Sequence, residues 1–497
     1  MTPDLVISID CSTTGSKAIV WDALGNSVAE ARSEMPLSIP QNGWGEQDPD
    51  VWWQATATAI SEVTKKVEYA RIGAIAITHQ RESFVCLDED GYPLRPGMLW
   101  LDTRAHEEVR DFGSREIHDL TGKPANPTPA FYKLMWMRRN EPELLSRAAK
   151  VVDVHSYLTY RLTGKFAAAR ASVDPLGLLN IETGEYSREI LGMVGLDSSQ
   201  LPAIFDSGAV IGEVSAAIAV QLGLPKGVKL VAGGGDGQCA GLGAGVAEPG
   251  AGYLNLGTGL IAGIYTDEYQ PSMAYRVMAG TIADSFNCEF FVGAGTYLVN
   301  WFKNHQNLGD MNGKTPEVFW GERAAEVPIG SENLYTIPYW NGALTPYWDQ
   351  QARGAIIGFT GIHGNEHLYR SILEGIAFEL RLSMEAAVPT IGRAAERLIA
   401  MGGGARSPLW CQMMADVLRI PITISKAEEA TSLGAAMLAF TAIGHYTDAK
   451  SASLKMSGFG ITYEPDEVAS EQYDQHFAIY RNLYPALKAS FAEMAEM

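Results

Sequence analysis

The sequence predicts an α/β protein made of two copies of one architecture set around a central cleft. Three observations lead there. Each half opens on two apolar stretches joined by a tight turn of hydroxyl residues and glycine: LVISI, CSTTGS and KAIVWD over residues 5–22, and YLNLGTGLIAGIY over 253–265. Each half closes on an apolar stretch that runs into three glycines and then a helical pattern, KLVAGGGDG at 229–237 and ERLIAMGGGARSPLWCQMMADVL at 396–418. Between the copies lies a Pro-Gly break, AEPGAG at 247–252. The predicted domains are therefore 1–247 and 248–497, with the paired turns facing each other.

The elements follow in order. Residues 5–9 read as a buried strand, CSTTGS as a tight turn and KAIVWD as a second strand, a β-hairpin. Residues 50–63 carry a helical pattern, and IGAIAIT at 72–78 reads as an apolar strand. It runs into His79-Gln80-Arg81-Glu82, a polar cluster past a strand's carboxyl end, where open α/β sheets bind ligands. In the second half, Ser407-Pro408 is a helix start, because serine caps the free N–H groups and proline suits the first helical turn. Leu409, Met413 and Val417, with Trp410 and Met414, then recur at helical spacing. Residues 446–497 have helical periodicity and are expected to cover the second domain.

Composition narrows the function. The chain has 497 residues and a net charge of −20, and no basic stripe suggests nucleic-acid binding. An anionic ligand would have to be held by local devices such as backbone N–H groups, a helix N-terminus or a metal ion. Five cysteines are widely spaced with no CxxC pair, which fits a reducing, cytoplasmic compartment. MTPDLVISID lacks the basic region of a signal peptide, and no run of about 18 apolar residues would span a membrane.

Asp236 is the only charged residue in GGGDGQCAGLGAG, a carboxylate among small neighbours with room for a ligand. Gly402, Gly403 and Gly404 lie between a strand and a helix N-terminus, where a flat ligand or a phosphate could approach the backbone; a plain tight turn is the alternative. Thr13, Thr14 and Ser16 in the first hairpin, and Thr258 between Gly257 and Gly259 in the second, offer hydroxyls and turn N–H groups to a polyphosphate. Asp10 ends an apolar strand and needs a partner, either a structural hydrogen bond or Mg²⁺ carried by a nucleotide. Two decoys are set aside. Gly313-Lys314-Thr315 resembles the end of a P-loop, but no apolar strand precedes it and Pro316 follows. His363-Gly364-Asn365-Glu366-His367 has a zinc spacing, but Asn365 reads as the N-cap of the next helix, which leaves His363 outside it.

Taken in order, DCSTTGSKAIVWD, GWGEQDPDVWW, ITHQRES, GMLWLDTR, GGGDGQ, NLGTG, TPYWDQQARGAIIGFT and MGGGARSPLWCQMMADVL, followed by EEATSLGAAMLA, resemble the FGGY carbohydrate kinases. The resemblance implies the duplicated actin and hexokinase type of fold, with ribonuclease H-like domains, and the substrates ATP with Mg²⁺ and a small sugar or polyol. It implies Asp236 as catalytic base and Asp10, with Asp236, near Mg²⁺. It implies Thr13, Thr14 and Lys17 at the first phosphate loop and Gly257, Thr258 and Gly259 at the second. Gly403, Gly404 and Ser407 match the adenosine site, and Gln80, Arg81, Glu82 and Trp100, with Asp236, match the sugar site. It also allows a homodimer.

The departures bear on the acceptor. Ser12 replaces a usual glycine, and Lys17 stands where many members have arginine. Arg81-Glu82 is similar to the glycerol-kinase pairing, where xylulokinases typically carry Met-His. Yet Thr128 or a neighbour, Gly237 and Ile261 stand where glycerol kinases have a ring, an amide and a ring, which widens the pocket. The expected acceptor is a primary hydroxyl of a ketopentose of the xylulose kind or a related polyol, with glycerol as the alternative. A chaperone-like or filament ATPase, and a sugar sensor without catalysis, are the rivals from other classes.

Overall fold

The computed structural model describes residues 3–306, 311, 313–392 and 395–496. The first hairpin is β1 (Leu5–Cys11) and β2 (Gly15–Asp22), and β3 (Ser27–Glu34) extends it. Helix α1 (Pro49–Thr64) follows, capped by Asp48, whose side chain accepts from the Asp50 N–H. Then come β4 (Ile72–His79), β5 (Val210–Glu213), β6 (Lys229–Gly235) and α2 (Asp236–Gly243). The sheet order is β5-β6-β4-β1-β2-β3, with β6, β4 and β1 mutually parallel.

The second half repeats the plan. Strands β7 (Ala251–Leu256) and β8 (Leu260–Thr266) form its hairpin, β9 (Arg276–Ala279) and β10 (Phe286–Val292) extend that side, and α3 (Asn365–Ile391) follows. Then come β11 (Arg397–Met401), α4 (Pro408–Leu418), β12 (Ile422–Ser425), α5 (Ala430–Ala442), β13 (Phe459–Tyr463) and α6 (Glu467–Tyr480). The order β9-β10-β8-β7-β11-β12-β13 contains the same hairpin, neighbour and parallel strands as the first sheet, so the two halves share one topology.

Alternation along β1 sorts its side chains between two layers. Leu5, Ile7 and Ile9 pack with Trp52, Ile60 and Val63 of α1. Val6, on the other face, packs with Leu433, Met437 and Phe440 of α5, and the Ser8 hydroxyl donates to that of Ser432 at 3.0 Å. Helix α5 thus belongs by sequence to the second half and by packing to the first sheet. It crosses α2 at two glycines: a Cβ on Gly434 would stand 2.0 Å from the Cys239 carbonyl oxygen, and one on Gly243 would stand 1.9 Å from that of Ala430.

Three expectations shift. The pattern predicts that the glycines before Asp236 form a turn between strand and helix, but Gly233–Gly235 complete β6 itself. They are needed because a Cβ at Gly233 would lie 1.8 Å from the Ile77 carbonyl oxygen on β4. The N-cap of α3 is Gly364, so Asn365 is the first helical residue, while His363 does lie outside the helix. The last segment is not all helix, because β13 pairs with β12 at the sheet edge. Nor does it cover only the second half, since Ala452 and Met456 join the layer under the first sheet.

Inside the second half, Glu379 of α3 is buried and accepts hydrogen bonds from the Tyr339 and Tyr480 hydroxyls, each at 2.8 Å. Burial pushes its carboxyl up to about 7, against the two hydroxyls that favour the charged form. A carboxyl raised by folding holds its proton more tightly folded than unfolded, so its contribution falls as pH rises from the ordinary range through 7. Glu379→Gln is therefore expected to gain stability over the parent on going from pH 5 to pH 8, by on the order of 3 kcal/mol. Paired melting curves at the two pH values check this, and a pH-independent difference would contradict it.

Candidate active site

The predicted residues gather at the carboxyl ends of the two sheets. Asp10 is next to last in β1, flanked by Lys17 on β2 and Thr78 on β4. Burial raises its carboxyl to about 7, the charges of Asp236 and Glu429 push the same way, and Lys17 and Arg32 oppose them. A buried carboxylate pushed up by a second one nearby is a setting that a divalent cation would relieve. Among the described residues no cluster of three or more His, Cys, Asp or Glu could hold a metal by itself. Asp10 and Asp236 are two oxygen donors that could complete the shell of a Mg²⁺ ion carried by other oxygen ligands. Lys17 pairs with Glu30 at 3.0 Å and with Glu429 at 2.7 Å, so it ties the first hairpin to the start of α5.

Asp236 opens α2, with its side chain 46% exposed and 2.9 Å from Arg81 Nε. Its Oδ1 accepts from the Gly237 N–H at 2.7 Å. The ion pair leaves the carboxylate open to a ligand. Gln80, Arg81 and Glu82 follow β4, and the Gln80 N–H donates to the Cys11 carbonyl at 2.9 Å, which pins this corner to the first hairpin. Glu82 has φ +60°, a left-handed backbone that is costly for a side chain of this kind, and such outliers gather at functional sites.

Thr13 does not offer a free hydroxyl. Its Oγ1 accepts from Trp100 Nε1 at 2.9 Å and donates to Gln80 Oε1 at 3.0 Å. The first turn can therefore grip phosphate through its backbone and Thr14, which is exposed, while the Thr13 side chain faces the Gln80–Trp100 side. Across the molecule, Gly257, Thr258 and Gly259 form the β7–β8 turn with Thr258 exposed.

Ser407 caps α4 as expected, its Oγ accepting from the Trp410 N–H at 3.3 Å. The glycines before it divide. Nothing lies within 4 Å of where a Gly403 Cβ would stand, so its surface is open. A Cβ at Gly404 would meet the Trp410 ring at 2.6 Å, so that glycine serves internal packing. The decoys have other employment. Lys314 pairs with Glu322, and His363 and His367 each accept a backbone N–H near the start of α3 through Nδ1.

Sequence reading missed Glu289, Arg276 and Glu429. Arg276 and Glu289 are the lone charges in the strands RVMA and FNCEFFV, a signal that was available. Three cavities lie away from these residues: one of about 630 Å³ lined by Lys150, Phe166 and Tyr186 among others, one of about 510 Å³ by Phe112, Met135 and Met193 among others, and one of about 450 Å³ by Tyr269 and Phe286 among others.

The model for the FGGY family of carbohydrate kinases matches with its N-terminal domain over residues 5–243 and its C-terminal domain over 252–443. The chain is 29% identical to a xylulose kinase of Staphylococcus epidermidis over 506 aligned residues, covering 99% of both. Among solved structures, a ligand-bound xylulose kinase from Lactobacillus acidophilus superposes with a TM-score of 0.93 at 27% identity, covering 99% of each chain. A gluconate kinase from the same organism gives 0.92 at 28% identity, again with 99% of each covered.

Proposed function

The chain belongs to the FGGY family of carbohydrate kinases and is a sugar phosphotransferase, and from that premise we propose that it moves the terminal phosphoryl group of ATP to a primary hydroxyl of a ketopentose of the xylulose kind, or a related uncharged polyol, with Asp236 as general base. The observation that carries this reading is the half-exposed Asp236 carboxylate beside Arg81 at the start of α2. The division of labour follows residues 1–247 and 248–497, acceptor on the first and adenosine on the second. The five cysteines, all buried and unpaired, suit a reducing cytoplasm, and no described helix is long and apolar enough to cross a membrane.

Phosphoryl transfer asks a protein for position and charge neutralisation more than for covalent chemistry. The backbone of the turns around Thr13–Thr14 and Gly257–Gly259 grips the polyphosphate, and Gly403 leaves an open face for the base next to the Ser407 cap. Mg²⁺, held by Asp10 and Asp236 with the phosphate oxygens, would neutralise charge on the polyphosphate. Arg81, Glu82, Gln80 and Trp100 orient the acceptor. Asp236 takes the proton of the attacking hydroxyl, and approach of the two halves excludes the water that would compete as acceptor.

Glycerol is the second reading, favoured by the Arg81-Glu82 pair. The deciding experiment is an ADP-release screen over pentuloses, tetritols, pentitols, glycerol and hexuloses. A ketopentose is expected to give the highest kcat/KM. Turnover confined to glycerol would replace the first reading with the second, and ATP hydrolysis indifferent to every sugar would remove both.

A further inference from the structure

Arg276 and Glu289 stand opposite each other on β9 and β10, and both are buried in strands that are otherwise uncharged. Burying charge in such strands is costly unless partners hold it. Two of the partners, Arg81 and Glu82, come from the other half of the chain. Both oxygens of Glu289 accept from Arg81 Nη1, at 2.8 and 2.9 Å. Arg276 Nε donates to Glu289 at 2.9 Å, while Arg276 Nη1 reaches Glu82 Oε1 at 3.0 Å. The Tyr253 hydroxyl donates to Glu289 at 2.6 Å.

Glu289 thus receives four donations, which fills a carboxylate's accepting capacity. It has nothing left for a ligand and acts only through what it holds. Burial would raise its carboxyl, but the charges of Arg81 and Arg276 outweigh burial and bring it down to about 2, so it stays ionised. The two guanidinium groups face three carboxylates in all: Glu289, Glu82 and Asp236. Lys123, which lines a cleft of about 20 Å³ together with Arg276, is itself bonded to both oxygens of Asp174. An incoming acceptor therefore meets arginines whose positive charge is already matched.

We propose that Glu289 and Arg276 are a positioning pair of the acceptor site: from the second half they hold Arg81 and Glu82 in place, and Glu289, added to Glu82 and Asp236, leaves the two arginines outnumbered by carboxylates, so that the site selects an uncharged acceptor over a sugar acid. The inference rests on the reading that the acceptor binds beside Asp236 and Arg81. It explains how an Arg-Glu pair can occur in a chain similar both to xylulose kinases and to a gluconate kinase.

The test uses the full-length enzyme with xylulose, glycerol and gluconate as probes. Glu289→Gln is expected to raise the KM of the preferred uncharged acceptor about tenfold or more, with the ATP KM within about twofold. It is also expected to raise the ratio of kcat/KM for gluconate to that for the uncharged acceptor by about tenfold, because the excess negative charge facing the acceptor is removed. A purely structural residue would not move that ratio. Should Glu289→Gln not fold, Tyr253→Phe and Arg276→Lys carry the test. Tyr253→Phe removes one of the four donations, and Arg276→Lys keeps the charge but lacks the fork that bridges Glu289 and Glu82. Each is expected to raise the acceptor KM by about threefold or more with the ATP KM unchanged. Acceptor KM values unmoved in every folded variant, equal rises for ATP and acceptor, or a parent enzyme that prefers gluconate would each overturn the inference. A parent that phosphorylates no sugar overturns the functional reading itself, and needs no variant to show it.

Discussion

Asp236→Asn is expected to lower kcat by about 10²–10⁴ while the KM values for ATP and sugar stay close to those of the parent. The amide keeps the shape of the carboxylate and can still accept from the Gly237 N–H, so α2 should start unchanged. What it loses is the ability to take the hydroxyl proton. The ion pair with Arg81 is weakened as well, but Arg81 remains held by Glu289 at 2.8 Å and should not swing away. A fall in kcat with constant KM is therefore the signature of a lost base, and a rise in acceptor KM alone would mark a binding role. Steady-state ADP release with both substrates varied separates the two. A variant with more than half the parent's activity would remove Asp236 from the role.

Gly434→Ala is expected to destabilise the protein by roughly 3 kcal/mol or more. Helix propensity argues the other way, since alanine inside a helix is worth about 1 kcal/mol over glycine. Sterics decide. The new methyl would stand 2.0 Å from the carbonyl oxygen of Cys239 and 2.7 Å from its carbonyl carbon, and both are backbone atoms of another helix. Relief requires α2 and α5 to separate, and both are packed under the first sheet. Gly403→Ala is the control, because nothing lies within 4 Å of the added carbon. Denaturant melts should show a large loss for the first and little for the second. Similar midpoints for both would mean that the helices yield easily.

Much of this architecture was legible because it is written in local pattern. The apolar strands flanking CSTTGS and GTG, the Ser407-Pro408 cap and the repeat of strand, glycines and helix each follow from nearest-neighbour physics. The strand β13 was not, because FGITY lies in a segment whose helical periodicity on either side masks five residues at a sheet edge. The glycines before Asp236 misled for a different reason. Their need arises from Ile77, far away in sequence, and a turn and a close strand approach ask for the same residue.

At the site, residues that belong to short motifs were found and residues that support them were not. Asp10, Arg81, Glu82 and Asp236 sit at strand ends or turns, where position alone suggests a ligand. Glu289 and Arg276 are meaningful only once β9 and β10 lie across from β4. The hydroxyl of Thr13 shows the limit from the other side: its place in a phosphate loop was readable, but its hydrogen bonds to Trp100 and Gln80 depend on folding.

The place of α5 has a consequence for biosynthesis. As the polypeptide leaves the ribosome, Val6, Ile19, Ala74, Ala76 and Val231 are made long before Leu433, Met437 and Phe440, the residues that shield them. The nascent amino-terminal portion must therefore travel with one sheet surface uncovered, a state that invites misassociation and chaperone capture. Maturation of that portion waits until translation has passed Phe440, so the two lobes mature together.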